Sequence, residues 1–202
     1  MQLIRLDDLP ATPWKNGGGV TRELYIYPTE SSFETFVWRV SIAELARSGG
    51  FSSFAGVDRV ITLLAGAGMQ LVAADGAAVP LLPWQPHRFR GEEQIFARLD
   101  GATCHDFNLM LRRGAAAGDV MVWHGDQHLP EGCALLYCVH GGWEVVSDQG
   151  QQAMLAARQA LVCGNIDDMA VPLALRSLHA DSVLISIHIN LQQESRHAAQ
   201  PS

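Results

Sequence analysis

The chain has 202 residues, 48% of them hydrophobic and 17% charged, which is enough apolar material to bury a core and too little charge for a disordered chain. Its 14 Lys+Arg against 21 Asp+Glu give a formal charge of -7, so the basic surface that non-specific nucleic-acid binding requires is lacking, and no direct nucleic-acid partner is expected. No run approaches the roughly eighteen apolar residues of a membrane helix, and Asp7-Asp8 falls where an export signal would continue its apolar stretch, so a cytoplasmic protein without a membrane partner is expected.

Glycine and proline punctuate the chain at short intervals, and the stretches between them alternate with period two, the pattern of an all-β protein. The first unusual stretch is Trp14-Lys15-Asn16-Gly17-Gly18-Gly19-Val20-Thr21-Arg22-Glu23. Three adjacent glycines allow a tight turn whose N–H groups could face an anion, with Lys15 and Asn16 adding a charge and donors. The same stretch also reads as no more than a turn. A phosphate loop is excluded, because Gly-Lys-Ser/Thr is absent and a strand follows. On that strand alternation puts Thr21 and Glu23 on one face and Arg22 on the other.

Next, Phe36 to Ile42 places Phe36, Trp38, Val40 and Ile42 on one face and Val37, Arg39 and Ser41 on a mixed second face. Ile42 to Arg47 suits a single helical turn stopped by Ser48-Gly49-Gly50. Arg59 follows the aromatic segment Phe51-Ser52-Ser53-Phe54 and opens the apolar strand Val60 to Leu64. Further on, Phe107, Leu109 and Leu111 share one face, and Asp106, Asn108, Met110 and Arg112 the other, as in a barrel wall with a pocket inside. An arginine among aromatics either pairs with an internal carboxylate or awaits an anionic ligand. The second alternative gains weight because only Arg158, Arg176 and Arg196 of the cationic residues lie beyond Arg113.

An internal repeat is visible. Arg59 to Gly68 and Ala134 to Gly142 are apolar strands ending in glycine turns, with Gly66 and Gly141 75 positions apart, and each is followed by a second strand and an Asp-containing turn. Two related β units are expected, 1–117 and 118–202, with the joint near Gly114 to Gly132 and a frayed tail over 192–202. Cys104, Cys133, Cys138 and Cys163 lack CxxC spacing and read as buried free thiols. The eight histidines lack metal-site spacing: His124 and His128 flank a glycine in the expected joint, His188 sits in an apolar strand, and adjacent His105 and Asp106 face opposite ways. No metal, no cofactor and no catalytic residue is assigned, since neither a nucleophile elbow nor a Cys-His motif is present.

The blocks Trp14 to Glu23, Trp38-Arg39-Val40-Ser41-Ile42-Ala43, Gly50 to Phe54, Asp58-Arg59 and Asp106 to Arg113 resemble the HutD/Ves family. One departure is Phe89-Arg90-Gly91-Glu92-Glu93, where the family usually has Asp directly after the glycine. The resemblance implies an all-β bicupin of RmlC-like jelly-roll type, two cupin-like β-barrel halves in one compact unit without the metal motif. It also implies a role in histidine utilisation, in which HutD is thought to limit induction by binding an intermediate such as formylglutamate. Lys15, Arg39 and Arg59, with Asn16 and Asn108 as amide partners, would suit such a dianion. The candidate ligand-binding set is completed by Gly17, Gly18, Thr21, Glu23, Ser41, Phe54, Met110 and Arg112. A non-catalytic binder of a small anionic metabolite is preferred. The alternatives are a metal-independent isomerase or hydrolase using Glu23 or His105 as proton acceptor, and a protein-interaction module. A homodimer through a sheet edge is compatible with each.

Overall fold

The computed structural model describes residues 1–163 and 171–192. By contact the chain forms two units, one gathering Met1–Leu9 and Gly118–Asn190, the other built on Pro10–Ala117 and joined by Leu191. The strands, in chain order, are β1 (Gln2–Arg5), β2 (Thr12–Pro13), β3 (Gly19–Tyr27), β4 (Trp38–Leu45), β5 (Gly49–Gly50), β6 (Val57–Ala65), β7 (Met69–Ala73), β8 (Ala78–Leu81), β9 (Pro86–Arg90), β10 (Ile95–Leu99) and β11 (Cys104–Arg112). They continue with β12 (Ala116–Trp123), β13 (Gln127–Leu129), β14 (Cys133–His140), β15 (Gly142–Ser147), β16 (Gln152–Ala156), β17 (Gln159–Val162), β18 (Leu173–Ser177) and β19 (Val183–Leu191). The helical content among the described residues is one 3-10 turn at Leu6–Asp8. None of it is long and apolar enough to cross a membrane.

The unit built on Pro10–Ala117 is a sandwich of a six-stranded sheet, β2-β3-β4-β11-β6-β9, and a four-stranded one, β5-β10-β7-β8. The two sheets remain open and do not close into a continuous barrel. The core lies between them: Ala43, Leu45, Ile61, Leu63, Phe89 and Cys104 from the first sheet meet Met69, Leu71, Leu81, Ile95 and Ala97 from the second. Each large side chain so removed from water contributes about 1.5–3 kcal/mol. The other unit repeats the plan with β1-β17-β14-β19-β12 against β13-β18-β15-β16, around an apolar core of Leu136, Cys138, Trp143, Val145, Leu161 and Leu184.

The repeat read from the glycine turns is reproduced in topology. β6 pairs with the unit's last strand β11 and passes through Gly66 into β7, and β14 pairs with β19 and passes through Gly141 into β15. Both glycines adopt positive φ, and a Cβ on either would strike the chain where the last strand begins: on Gly66 it would lie 2.5 Å from Sγ of Cys104, the first residue of β11, and on Gly141 2.3 Å from Oγ of Ser182, just before β19. Only glycine permits that approach.

Two expectations are corrected. Ile42 to Arg47 is not a helical turn, since residues through Leu45 form β4, whose two faces are both buried between β3 and β11. The stretch from Gly114 to Gly132, where the contact division falls between Ala117 and Gly118, carries β12 and β13. Met1–Leu9 group with the C-terminal half because β1 pairs with β17 as an edge strand, Leu6 is buried, and Asp7 forms an ion pair with Arg158 at 2.5 Å. The tail, apart from Gln192, lies outside the described residues. All four cysteines are free and buried, as expected. Glu92, the departure from the family pattern, meets Arg113 at 2.5 Å, and Asp58 meets the same arginine at 2.6 Å, so the longer acid keeps an ion pair there.

The third glycine of the turn explains why β3 begins where it does. A Cβ on Gly19 would lie 2.3 Å from the Glu44 carbonyl oxygen on β4, so the two strands close only without a side chain at this position. Gly19→Ala is therefore expected to destabilise the protein by about 1–3 kcal/mol, the range for forced overpacking. Urea unfolding measures it, and an unchanged midpoint would show that β3 yields to the methyl group.

Candidate functional site

The interior of the six-stranded sheet changes character along its strands. Register puts Thr21 opposite Ala43, Glu23 opposite Ser41, Ser41 opposite Asn108, and Arg39 opposite Met110, with Met110 in turn opposite Arg59. Because side chains alternate, all of these face inward. Towards Leu45, Leu63 and Cys104 that face is apolar and fills the core, and towards Arg39, Arg59 and Asn108 it is polar. At the polar end the sheets leave a cavity of about 720 Å³, lined by Lys15, Asn16, Thr21, Glu23, Arg39, Ser41, Arg59, Asn108 and Met110 together with Trp14, Phe33, Phe51 and Phe54. A volume of this size is typical of small-molecule sites.

The two buried arginines are held differently. Arg39 is 6% exposed and already paired: Nε donates to Glu23 Oε2 at 2.6 Å, one terminal nitrogen donates to Ser41 Oγ at 3.2 Å, and its plane lies 4.8 Å from the Phe33 ring centre. Arg59, 4% exposed, forms no ion pair among the described residues. Its Nε reaches Asn108 Oδ1 at 3.5 Å, and rings surround it, with Phe51 at 4.8 Å, Phe89 at 4.9 Å and Phe54 at 5.9 Å. Burial lowers its pKa to about 10, Asp106 opposing the shift and Arg39 adding to it. Arginine tolerates such a place because its flat, weakly hydrated cation stacks on ring faces.

Asp106 lies on the same inward face of β11, opposite Ala43 on one side and Leu63 on the other. It is wholly buried, and neither carboxylate oxygen has a hydrogen-bond partner among the described residues. Burial drives its pKa up to about 7, with the Arg59 charge as the opposing influence. His105, its neighbour in sequence, points the other way and meets Glu44 at 3.5 Å.

The glycine turn forms part of the rim, but the N–H groups of Gly17 and Gly18 are occupied. Gly17 N donates to the Trp14 carbonyl at 2.9 Å, Gly18 N to Asn16 Oδ1 at 2.9 Å, and Trp14 N to the Gly19 carbonyl at 2.9 Å. Gly17 and Gly18 therefore shape the loop that carries Lys15 and Asn16 and do not line the cavity. Trp14 is fixed by its Nε1 donating to Thr21 Oγ1 at 2.7 Å. Arg112 is likewise outside the cavity: at the end of β11 it folds over the Phe36 ring and donates to the carbonyls of Phe36 and Phe33, at 2.8 and 3.3 Å. It braces the loop that presents Phe33. Of the residues missing from the candidate set, Ala43 follows from alternation after Arg39 and Ser41, and Trp14 and Phe51 lie within the motifs already quoted. Phe33 sits in a loop without periodicity and gave no signal. Among the described residues no three His, Cys, Asp or Glu side chains gather as metal ligands would.

The raised pKa of Asp106 makes stability depend on pH. Between the ordinary value of 3.8 and the folded value of about 7, the folded chain keeps a proton that the unfolded chain has released, so stability falls as pH rises through that window. Asp106→Asn removes this titration. In unfolding experiments from pH 4 to 8 the stability difference should shift progressively in favour of the variant and level off above neutrality. A difference independent of pH would mean that Asp106 stays ionised in the folded protein.

Similar proteins agree on fold and family. A Pseudomonas putida protein described as an uncharacterized 21.2 kDa protein in the hutC 3' region is 46% identical over 110 residues, 54% of this chain and 57% of that protein. The match thus spans little more than half of that relative. Protein Ves of Cronobacter sakazakii is 37% identical over 149 residues, 72% of this chain and 80% of its own. The solved structure of HutD from Pseudomonas fluorescens superposes with a TM-score of 0.80 at 32% identity, covering 95% of this chain and 98% of that one. A cupin barrel protein of Leptotrichia buccalis, with a TM-score of 0.59 at 10% identity over 94% of this chain and 96% of its own, shares the fold alone. The family model described as HutD matches residues 6–180, and the chain belongs to that family.

Proposed function

We propose that this HutD-family protein binds a small carboxylate in the cavity and acts in histidine utilisation by holding an anionic intermediate, formylglutamate or a compound like it. The observation that carries this reading is the Arg59 guanidinium: buried on the cavity wall, stacked among rings, and with no contacting carboxylate of its own among the described residues. A buried cation left in that state favours an anion delivered from outside, and the guanidinium fork matches a carboxylate in two bonds. Lys15 at the rim offers a second charge and Asn16 and Asn108 offer amides, an arrangement suited to a ligand with two acidic ends. The location of the P. putida relative in the hutC 3' region supports the link to histidine utilisation. Arg39, neutralised by Glu23, serves to hold the cavity wall in shape.

Isothermal titration with formylglutamate, urocanate and histidine tests the reading. One-to-one binding of a carboxylate intermediate is expected, and Arg59→Met should weaken it by about thirtyfold or more, the loss associated with about 2 kcal/mol upward for a buried charged partner. No heat with any of these compounds, alongside tight binding of an unrelated neutral molecule, would overturn it. Turnover of the bound compound in a long NMR incubation, abolished by Glu23→Gln, would replace binding by catalysis.

A further inference from the structure

We infer that the cavity takes up its carboxylate together with one proton, and that Asp106 is the group that holds the proton. The inference rests on the carboxylate-binding reading and adds to it a rule about net charge: the carboxylate that engages Arg59 enters as anion plus proton, so that end of the ligand adds almost no net charge to the pocket.

The geometry that leads there is the sharing of one cation. Asp106 is enclosed on β11 beside Ala43, which lines the cavity, and both its oxygens lack partners among the described residues. An ionised carboxylate in such a place costs several kcal/mol unless an opposite charge answers it. Arg59 is the charge that acts on it. The remaining neighbours of that guanidinium are ring faces and the long contact to Asn108, so in the empty pocket its charge is available to Asp106. A ligand carboxylate that engages Arg59 brings a second anion to the same cation. Two carboxylates competing for one countercharge cannot both stay ionised at low cost, and the one with poorer hydrogen bonding takes the proton. The ligand has donors from Arg59, Asn108 and the rim. Asp106 has none, so the proton goes there.

The other ionisable groups around this interior do not replace it in that role. Glu23 of β3 is bound to Arg39 of β4. His87 of β9, opposite Ile61, is not among the residues that line the cavity, and Cys104 lies on β11 among the apolar core. Glu44 of β4 and His105 of β11 face away and meet each other. From the facing sheet, β7 and β10 offer Met69, Leu71, Ile95 and Ala97, none of which ionises. The pKa of about 7 that burial gives Asp106 in the empty pocket places it where one added negative charge converts a partly ionised group into a protonated one.

The test is titration of the full chain with formylglutamate at pH 7.5 in phosphate and in Tris, whose ionisation enthalpies differ. Wild type should show uptake of about half to one proton per ligand, and its Kd should rise by up to about tenfold per pH unit between pH 7 and 9. Asp106→Asn should bind without uptake and with a Kd flat over the same range. Equal heats in the two buffers, or uptake that persists in the variant, would overturn the proton linkage and leave carboxylate binding standing. Failure of wild type to bind any carboxylate would overturn the binding reading and the linkage with it. Should Asp106→Asn fail to fold, infrared difference spectra of wild type decide the matter: ligand must produce a new protonated carboxyl band, and its absence overturns the inference.

Discussion

A guanidinium lodged among three phenylalanine rings inside a β sandwich needs a reason to stay charged, and the arrangement of the N-terminal unit supplies one. Arg59 is too well buried to be solvated and too far from any acid to be paired in contact. The rings of Phe51, Phe54 and Phe89 present their electron-rich faces to it, which offsets part of the lost hydration. The remainder is met at longer range by Asp106. That division explains why the loop carrying Phe51 and Phe54 is tied down by its backbone, Phe51 N to the Ile95 carbonyl at 2.9 Å and Phe54 N to the Gly91 carbonyl at 2.7 Å. If the loop moved, the cation would lose two of its three rings.

Arg39 shows the contrasting solution on the neighbouring strand. Glu23 satisfies it directly, and since Glu23 is itself open to the cavity, the pair is a polar surface and not a vacancy for an anion. Strand register is what separates the two arginines: β3 pairs with β4 and brings an acid within reach of Arg39, whereas β6 is flanked by β11 and β9, which place Met110 and Phe89 opposite Arg59. One sheet thus holds, side by side, a cation paired in contact and a cation answered only by ring faces and a carboxyl at longer range.

Period-two alternation was enough to make the all-β class and the inward grouping of Arg39, Ser41, Asn108 and Met110 legible, because strand geometry leaves a side chain only two directions. It failed where direction is set by tertiary contact. Arg112 shares the parity of Asn108 and Met110, yet at the strand end its long side chain finds the carbonyls of Phe33 and Phe36. The glycine turn advertises free N–H groups, but the Trp14 carbonyl and the Asn16 side chain take those of Gly17 and Gly18. Leu45 and Ala43 read as helical because a short apolar run has no periodicity of its own, and pairing with β3 and β11 decided the matter. The exchange of the first nine residues into the other half could not be read locally, since β1 finds its partner in β17, far along the chain.

The C-terminal unit shows what the same scaffold becomes without the cation. The same count back from Gly66 and Gly141 lands on Arg59 and Ala134, and the same count forward from Cys104 and Ser182 pairs Asp106 with Leu184 and Asn108 with Ser186. Leu184 belongs to the apolar core there, and Ser186 accepts a hydrogen bond from Trp123 Nε1 at 2.9 Å, so that interior is closed by its own groups. The arginine and the aspartate are thus both replaced at matching positions by apolar residues, as expected if each lowers the cost of burying the other. Removing one alone would strand its partner in a low-dielectric interior at a cost that removing both avoids. Arg59 and Asp106 are therefore best regarded as one electrostatic element, present in the unit that carries the large cavity and absent from the matching positions of the other.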